Sequence, residues 1–335
     1  MRNPATLKKI SDHLSVSIST VSRALKDHQD VSEETKRRVK ELAEMLDYEP
    51  NSFAINLRKK HSDLFAIIVP EISSFFYHSF IETVEELSRQ KGFGVMILQS
   101  RNNPEIETAN LRLCRINHVA GVFIAVNSSK ENQPAYKKME DWDIPMIFFD
   151  KVPSEGPFNK VCMADEQAGS LAAEKIAAAG YKTILAVMGS EMLSITHRRL
   201  KGLKSWLEKN AQGISLHLLY SENGSDLPEL LKEKHALLQH DTAIFSMSDE
   251  ILCGVIKYLN QNELKFPVDV GLLTISNGFF PHLFFPRVSY VETNGSKLGD
   301  LAFSRMREIM DGKKFIRENL LSCDYYEGAS LKLPG

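Results

Sequence analysis

Cysteine is scarce in this chain of 335 residues: Cys114, Cys162, Cys253 and Cys323 stand far apart, with no C-x-x-C pair. Each sits among apolar neighbours, which argues against a disulfide framework or a thiolate metal site and predicts reduced core thiols. Long hydrophobic runs are also missing. Residues 1–30 hold no signal-peptide-like stretch and no later run approaches ~18 apolar residues, so no membrane association and a cytoplasmic location are expected. Neither sign of charge dominates, with 41 Lys and Arg against 43 Asp and Glu. Catalytic signatures are absent: there is no G-x-S-x-G elbow, G-x-x-x-x-G-K-[ST] loop, H-E-x-x-H or G-x-G-x-x-G. Gly92-Phe93-Gly94 precedes a strand-like run, the wrong context for a dinucleotide. The scattered His13, His61, His78, His118, His235 and His240 lack ligand spacing to one another. An enzyme is therefore disfavoured, and no metal or other cofactor is expected.

The length suits a small domain joined to a larger one. Dividing the chain exposes a charge asymmetry: residues 1–60 carry 12 basic and 9 acidic residues, net +3, and the remainder 29 and 34, net −5. The basic excess coincides with ATLKKISDHLSVSISTVSRALKD, residues 5–27. Leu7, Ile10 and Leu14 share one side of a first helix, Ser15-Val16-Ser17 breaks it, and a second helix starts at Ile18 with Ser17 as N-cap. At 100° per residue Ile18, Ser19, Ser22 and Arg23 fall on one face of that second helix and Val21, Ala24 and Leu25 on the other. One face packs and the other is free to read a DNA groove, although any small helical hairpin shares this pattern. Val31-Ser32-Glu33-Glu34 opens a third helix carrying Val39, Leu42 and Leu46. After Tyr48-Glu49-Pro50-Asn51, the segment SFAINLRKK fits a short helix with Asn51 as N-cap and Phe53, Ala54 and Leu57 on one side. Alone, a helix of about nine residues is marginal, so it needs a partner or remains a linker.

From Asp63 onward the pattern changes. The runs LFAIIVP, GVMILQS, GVFIAVN and IPMIFFD, then TILAVMG, ISLHLLY, TAIFSMS and VGLLTIS, alternate with helical stretches, four of them near 165–179, 195–210, 226–239 and 249–262. This alternation predicts parallel sheets covered on both faces, in two lobes with a cleft between them. A helix over 295–311 and a closing strand over 320–326 end the pattern. No leucine heptad follows, so a dimer is expected rather than a coiled-coil tetramer. Ligands of such sheets bind beyond the carboxyl ends of the strands. There stand Ser73 and Ser74, Asp150, Ser248-Asp249, Ser276-Asn277, and His197-Arg198-Arg199 at the start of a helix. Each aspartate has an alternative role as a helix N-cap.

T-L-x-x-I at Thr6–Ile10, V-S-x-x-T-V-S-R-x-L at Val16–Leu25, V-S-x-x-T at Val31–Thr35 and Y-x-P-N at Tyr48–Asn51 resemble the lactose-repressor/galactose-repressor (LacI/GalR) family of bacterial transcription regulators. The resemblance runs the whole chain. It implies a small all-α helix-turn-helix head at 1–48, a hinge helix at 49–61, and an α/β core at 62–335 that is two-lobed, periplasmic-binding-protein-like and built on parallel sheets. Lobe one would take about 62–160 and 293–320 and lobe two about 161–292 and 321–335, with crossings near 160, 292 and 322. The implied function is sequence-specific repression of carbohydrate-use genes by a homodimer on near-palindromic double-stranded operator DNA, controlled by a sugar-like effector. Operator contacts would come from Thr6, Ser17, Ile18, Ser19, Thr20, Ser22 and Arg23, and from Asn51, Ala54 and Leu57 of the hinge, Leu57 matching a leucine wedged into the minor groove. The implied effector pocket is Ser73, Phe76, Asp150, Arg199, Ser248, Asp249, Ser276 and Asn277. Arg199 would be its main polar anchor, and Phe75, Phe76 or Tyr77 would cover an apolar sugar face. Three departures leave the effector open or add strain: Ser15 replaces a usual glycine, the first pocket loop reads Ser-Ser-Phe-Phe-Tyr instead of Ser-Asn-Pro-Phe-Phe, and Ser276 replaces a common aspartate. A solute-binding protein would share the two lobes but not the basic head, and neither it nor an enzyme would bind DNA in an effector-sensitive way.

Overall fold

The computed structural model describes residues 5–48, 62–126, 130–221, 224–313 and 318–332. The hinge positions Asn51, Phe53, Ala54 and Leu57 lie outside the described residues. The chain divides into two compact units, Met1–Ser62 and Asp63–Gly335.

The head holds α1 (Leu7–Leu14), α2 (Ile18–Ala24) and α3 (Glu33–Met45). Each begins at a hydroxyl cap: Thr6, Ser17 and Ser32 accept from the amides of Lys9, Thr20 and Thr35. These caps satisfy amides that have no partner within the helix, typically at ~1 kcal/mol each. Ile10, Val21, Ala24, Val31, Val39 and Ala43 form the buried centre, with Leu42 and Leu46 packed at its margin. Ser15 ends α1 in the left-handed region, φ 52° and ψ 40°, and its amide donates to Ser11 O.

In the core, β1 (Leu64–Val69), β2 (Gly94–Gln99), β3 (Gly121–Ile124), β4 (Met146–Phe149) and β5 (Lys160–Met163) build the first sheet, joined by β11 (Glu318–Leu321). Its order is β11-β5-β4-β3-β1-β2 and every pairing is parallel. The second sheet, β12-β10-β9-β8-β6-β7, contains β6 (Thr183–Met188), β7 (Ser215–Tyr220), β8 (Thr242–Ser246), β9 (Gly271–Ser276) and β10 (Ser289–Glu292). It is parallel except where β12 (Tyr325–Tyr326) runs antiparallel to β10. Central strands such as β1, β8 and β9 are buried almost throughout, which explains their unbroken apolar runs. The covering helices are α4 (Phe75–Gln90), α5 (Pro104–Ile116), α6 (Gln133–Glu140), α7 (Asp165–Ala178), α8 (Ser194–Asn210), α9 (Leu227–Lys232), α10 (Asp249–Gln261) and α11 (Gly295–Met310).

Three details refine the sequence expectations. Strand β5 pairs wholly within the first sheet, which puts the first crossing, expected near 160, just after that strand at Ala164; the Ala164 amide donates to Leu321 O of the same sheet at 2.7 Å. The stretch 320–326 is two short strands in different sheets, separated by the third crossing. The helix expected over 226–239 stops at Lys232 and is followed by a 3₁₀ turn, His235–Leu237. There Thr242 bonds back to Gln239 O and Leu237 O, turning the chain into β8. Cys114, Cys162 and Cys323 are buried as expected, whereas Cys253 is half-buried. No helix among the described residues is long and apolar enough to cross a membrane.

Left-handed backbone costs a non-glycine residue roughly 1 kcal/mol, partly offset by the greater freedom glycine has when unfolded. Ser15→Gly is therefore expected to stabilise the head by up to ~1 kcal/mol. Slower native-state hydrogen exchange at the Ile10 and Val21 amides would record it; unchanged or faster exchange would show that Ser15 is not strained.

Candidate functional site

On the head, α2 presents two unlike faces. Val21 and Ala24 are fully buried, while Ile18 is 48% exposed and Ser19 and Arg23 also face solvent; Ser22 is half-buried. Ser17 caps the helix and places its hydroxyl 2.7 Å from those of Ser19 and Thr20, and exposed Thr6 caps α1. Arg23 is held only loosely, Nη1 lying 3.7 Å from Asp30 across an exposed surface. Such a pair contributes about 0–1 kcal/mol, so the guanidinium is easily released to a better acceptor.

The core encloses a cleft of about 540 Å³ between the carboxyl ends of the two sheets. It brings together Ser73, Phe76, Asp150, Arg199, Ser248, Asp249, Ser276 and Asn277, all eight positions singled out in the sequence. Asp150 directly follows β4 in the left-handed region, φ 55°, a conformation aspartate tolerates better than most residues. Its Oδ2 accepts from the Tyr77 hydroxyl at 2.6 Å. Burial, and then the Asp150 charge, push the Tyr77 hydroxyl well above its ordinary range and keep it a donor. Tyr77 thus orients a carboxylate, and Phe76 is left as the flat apolar surface of the cleft. Phe75 is outside the lining and stacks on Phe279, ring centroids 4.6 Å apart and planes 11° apart.

Arg199, 5% exposed, is fixed by two bonds: Nε donates to Asp165 Oδ1 at 2.8 Å and Nη1 to Met247 O at 2.6 Å. Burial works against its charge, and Asp165 and Asp150 outweigh that effect. Its Nη2 makes no hydrogen bond among the described residues, which leaves donors for a ligand. Ser248 is the N-cap of α10, accepting from the Ile251 amide, so Asp249 is not needed for capping. Asp249 is 7% exposed; Oδ2 accepts from the Asn277 amide at 3.2 Å, and buried Oδ1 has no partner among the described residues. Burial pushes its carboxyl up to about 6, against the opposing influence of Ser276 and the Asn277 amide. Asn277 also reaches the first lobe: Nδ2 donates to Phe75 O at 3.4 Å and Oδ1 accepts from the Gly295 amide at 3.0 Å.

Two residues of the cleft lining, and one behind it, were not among the sequence candidates. Gln99 is the last residue of β2 and Lys151 lies two residues past β4, so the rule that found Asp150 could have found them. Asp165, behind Arg199, follows the run KVCM, which is too short to read as a strand from its apolar pattern. No group of His, Cys, Asp and Glu among the described residues could hold a metal ion.

Residues 62–329 match the family model for periplasmic binding proteins and the sugar binding domain of the LacI family, and residues 6–51 match bacterial regulatory proteins, lacI family. The HTH-type transcriptional regulator DegA of Bacillus subtilis is 24% identical over 300 residues, 88% of either chain. Catabolite control protein A of Priestia megaterium is 26% identical over 312 residues, 91% of this chain and 92% of that one. The fold is similar to that of the lac repressor dimer bound to operator and the anti-inducer ONPF, with TM-score 0.87 and 19% identity, covering 99% of this chain and 100% of that one. A LacI family transcriptional regulator from Enterococcus faecium with bound ribose gives TM-score 0.70 at 20% identity, covering 81% and 99%.

The raised Asp249 carboxyl sets a pH dependence. Because folding disfavours the ionised form, the penalty is absent below the unfolded value, 3.8, grows as pH rises, and is complete above about 6. Asp249→Asn removes it and keeps an acceptor for the Asn277 amide. Urea unfolding followed by Trp142 and Trp206 fluorescence is expected to show the variant gaining about 2–3 kcal/mol on the parent between pH 4 and pH 7.5. A difference independent of pH would mean that the carboxyl is not perturbed.

Proposed function

Since the chain belongs to the lacI family of bacterial regulatory proteins, we propose that it is a cytoplasmic, homodimeric repressor of carbohydrate-use genes whose grip on a near-palindromic operator is set by a sugar-like effector in the cleft. The observation that carries this reading is that one cleft draws its polar groups from both sheets. A ligand touching Ser73 and Asp150 on one lobe and Arg199, Asp249 and Asn277 on the other favours one degree of closure, and only such differential affinity performs work at a second site. Asn277 supports the coupling, because it bonds Asp249 on the ligand side and Phe75 O and the Gly295 amide on the first-lobe side. Segment 49–61 would carry the change in closure to the spacing of the two heads. On DNA, Ile18, Ser19, Ser22 and Arg23 would face the major groove, with Thr6, Ser17 and Thr20 at the phosphates. Ribose and other sugars bound to related folds support a polyhydroxylated effector, whose hydroxyls suit the carboxylate and guanidinium groups of the cleft.

Two substitutions separate the two halves of the proposal. Arg23→Ala should weaken operator binding by about 1–3 kcal/mol and relax preference at one base pair per half-site, because arginine reads guanine with two parallel bonds. Fluorescence anisotropy with operator and scrambled duplexes checks this; equal losses on both would remove Arg23 from base reading. Arg199→Ala should still bind operator yet not respond to effector, since the lost charge-assisted bonds leave ligand oxygens unpaired at about 1–3 kcal/mol or more. Calorimetry giving unchanged effector affinity in that variant, with operator release intact, would shift the anchor elsewhere in the cleft.

A further inference from the structure

Lys151 is a cleft residue to which no role has been given. It follows Asp150 at the carboxyl end of β4, and its side chain lines the cavity. The three buried charges of the cleft each have a bond within the chain: Arg199 to Asp165 and Met247 O, Asp150 to Tyr77, Asp249 to the Asn277 amide. Among the described residues the Lys151 ammonium has neither a hydrogen bond nor an ion pair; only its backbone carbonyl is used, accepting from the Val126 amide at 2.8 Å. Asp150, Glu250 and Glu71 act on it from beyond ion-pair distance, and the last two are exposed and solvated. Burial nevertheless outweighs them and moves the ammonium below its ordinary range. The half-buried side chain thus lines the cleft with an ammonium that no described residue neutralises. A partly desolvated cation gains from an anion placed against it.

Accepting the ligand-responsive cleft above, we infer that Lys151 is a specificity-determining residue that takes an oxyanion of the effector, so that the effector is an acidic sugar derivative bearing a carboxylate or a phosphate. Asp150 and Asp249 would accept hydrogen bonds from hydroxyls, Arg199 would donate to ring or hydroxyl oxygens, and Lys151 would pair with the oxyanion of the ligand. A neutral sugar fills the same volume but leaves the ammonium with only weak hydroxyl acceptors, and charge-assisted bonds are about twice as strong as neutral ones.

The test uses the full chain and no substitution, so misfolding does not enter. Trace acetylation by acetic anhydride, read by mass spectrometry at Lys151 and at exposed Lys257, is followed at constant ionic strength in inorganic phosphate, D-glucuronate, D-glucose 6-phosphate or D-glucose. The expected result is saturable protection of Lys151, fivefold or more, by at least one of the three oxyanions, with Lys257 unaffected and D-glucose without effect. Protection by D-glucuronate assigns the site to a carboxylate, and protection by the two phosphates assigns it to a phosphate. No protection by any oxyanion, equal protection by D-glucose, or parallel slowing at Lys257 would overturn the inference. Failure of the regulatory reading appears separately, as absence of operator binding in the anisotropy measurement, whatever Lys151 does.

Discussion

Arg199 reaches the cleft because two helices of the second lobe touch along their backbones. A Cβ on Gly169 of α7 would stand 2.0 Å from Arg199 O, and one on Gly202 of α8 would stand 1.9 Å from Glu166 O. No other residue fits either place. The approach lets Asp165, the first residue of α7, meet the guanidinium at 2.8 Å with both partners almost wholly buried. A buried pair adds little net stability, but losing one member leaves an uncompensated charge, at roughly 3–5 kcal/mol. Arg199 and Gly202 are three residues apart in the helix, so the side chain that enters the cleft and the gap that admits α7 lie on one face. Asp165 also stands just past Ala164, whose amide is bonded to the first sheet. The guanidinium is therefore referenced to the point where the chain passes between lobes as well as to its own lobe.

The lobes are joined by more than the covalent crossings. Glu292 N bonds Asp324 O, Thr293 N bonds Ser276 O and Cys323 N bonds Gln167 Oε1, so the strands that cross are laced to one another. Asn277 and the Phe75–Phe279 stack add contacts nearer the cleft mouth. Asn277 both lines the cleft and bonds across the lobes, so the cleft wall and the contacts between the two sheets share a residue.

Much of this was legible in the sequence. The head could be read because its caps, apolar spacing and reading face are local properties of about forty residues: Ser17, Val21 and Ala24 behave as helical geometry requires. The sheets could be read because buried parallel strands are continuous apolar runs, and seven of the eight cleft candidates could be read because they lie on the segments after such runs, Phe76 coming from the family resemblance alone. What escaped depends on distant pairing. Strand β5 is only four residues long and is identified as first-lobe by its partners β4 and β11. Asp165 matters because α8 brings Arg199 to it from 34 residues away. Tyr77 passes for a ligand-facing aromatic in sequence, and only the fold points its hydroxyl at Asp150.

The last strands divide between the sheets, β11 closing the first and β12 the second, and Ser330 then bonds both Leu272 O and the Ser289 amide. Neither lobe is continuous in sequence. On the ribosome, at about 5–20 residues per second, the head with its own core emerges on the order of tens of seconds before either sheet can be completed. For that interval each nascent copy has a folded helix-turn-helix head and no finished cleft. The cleft is thus completed only once β11 and β12 have been made.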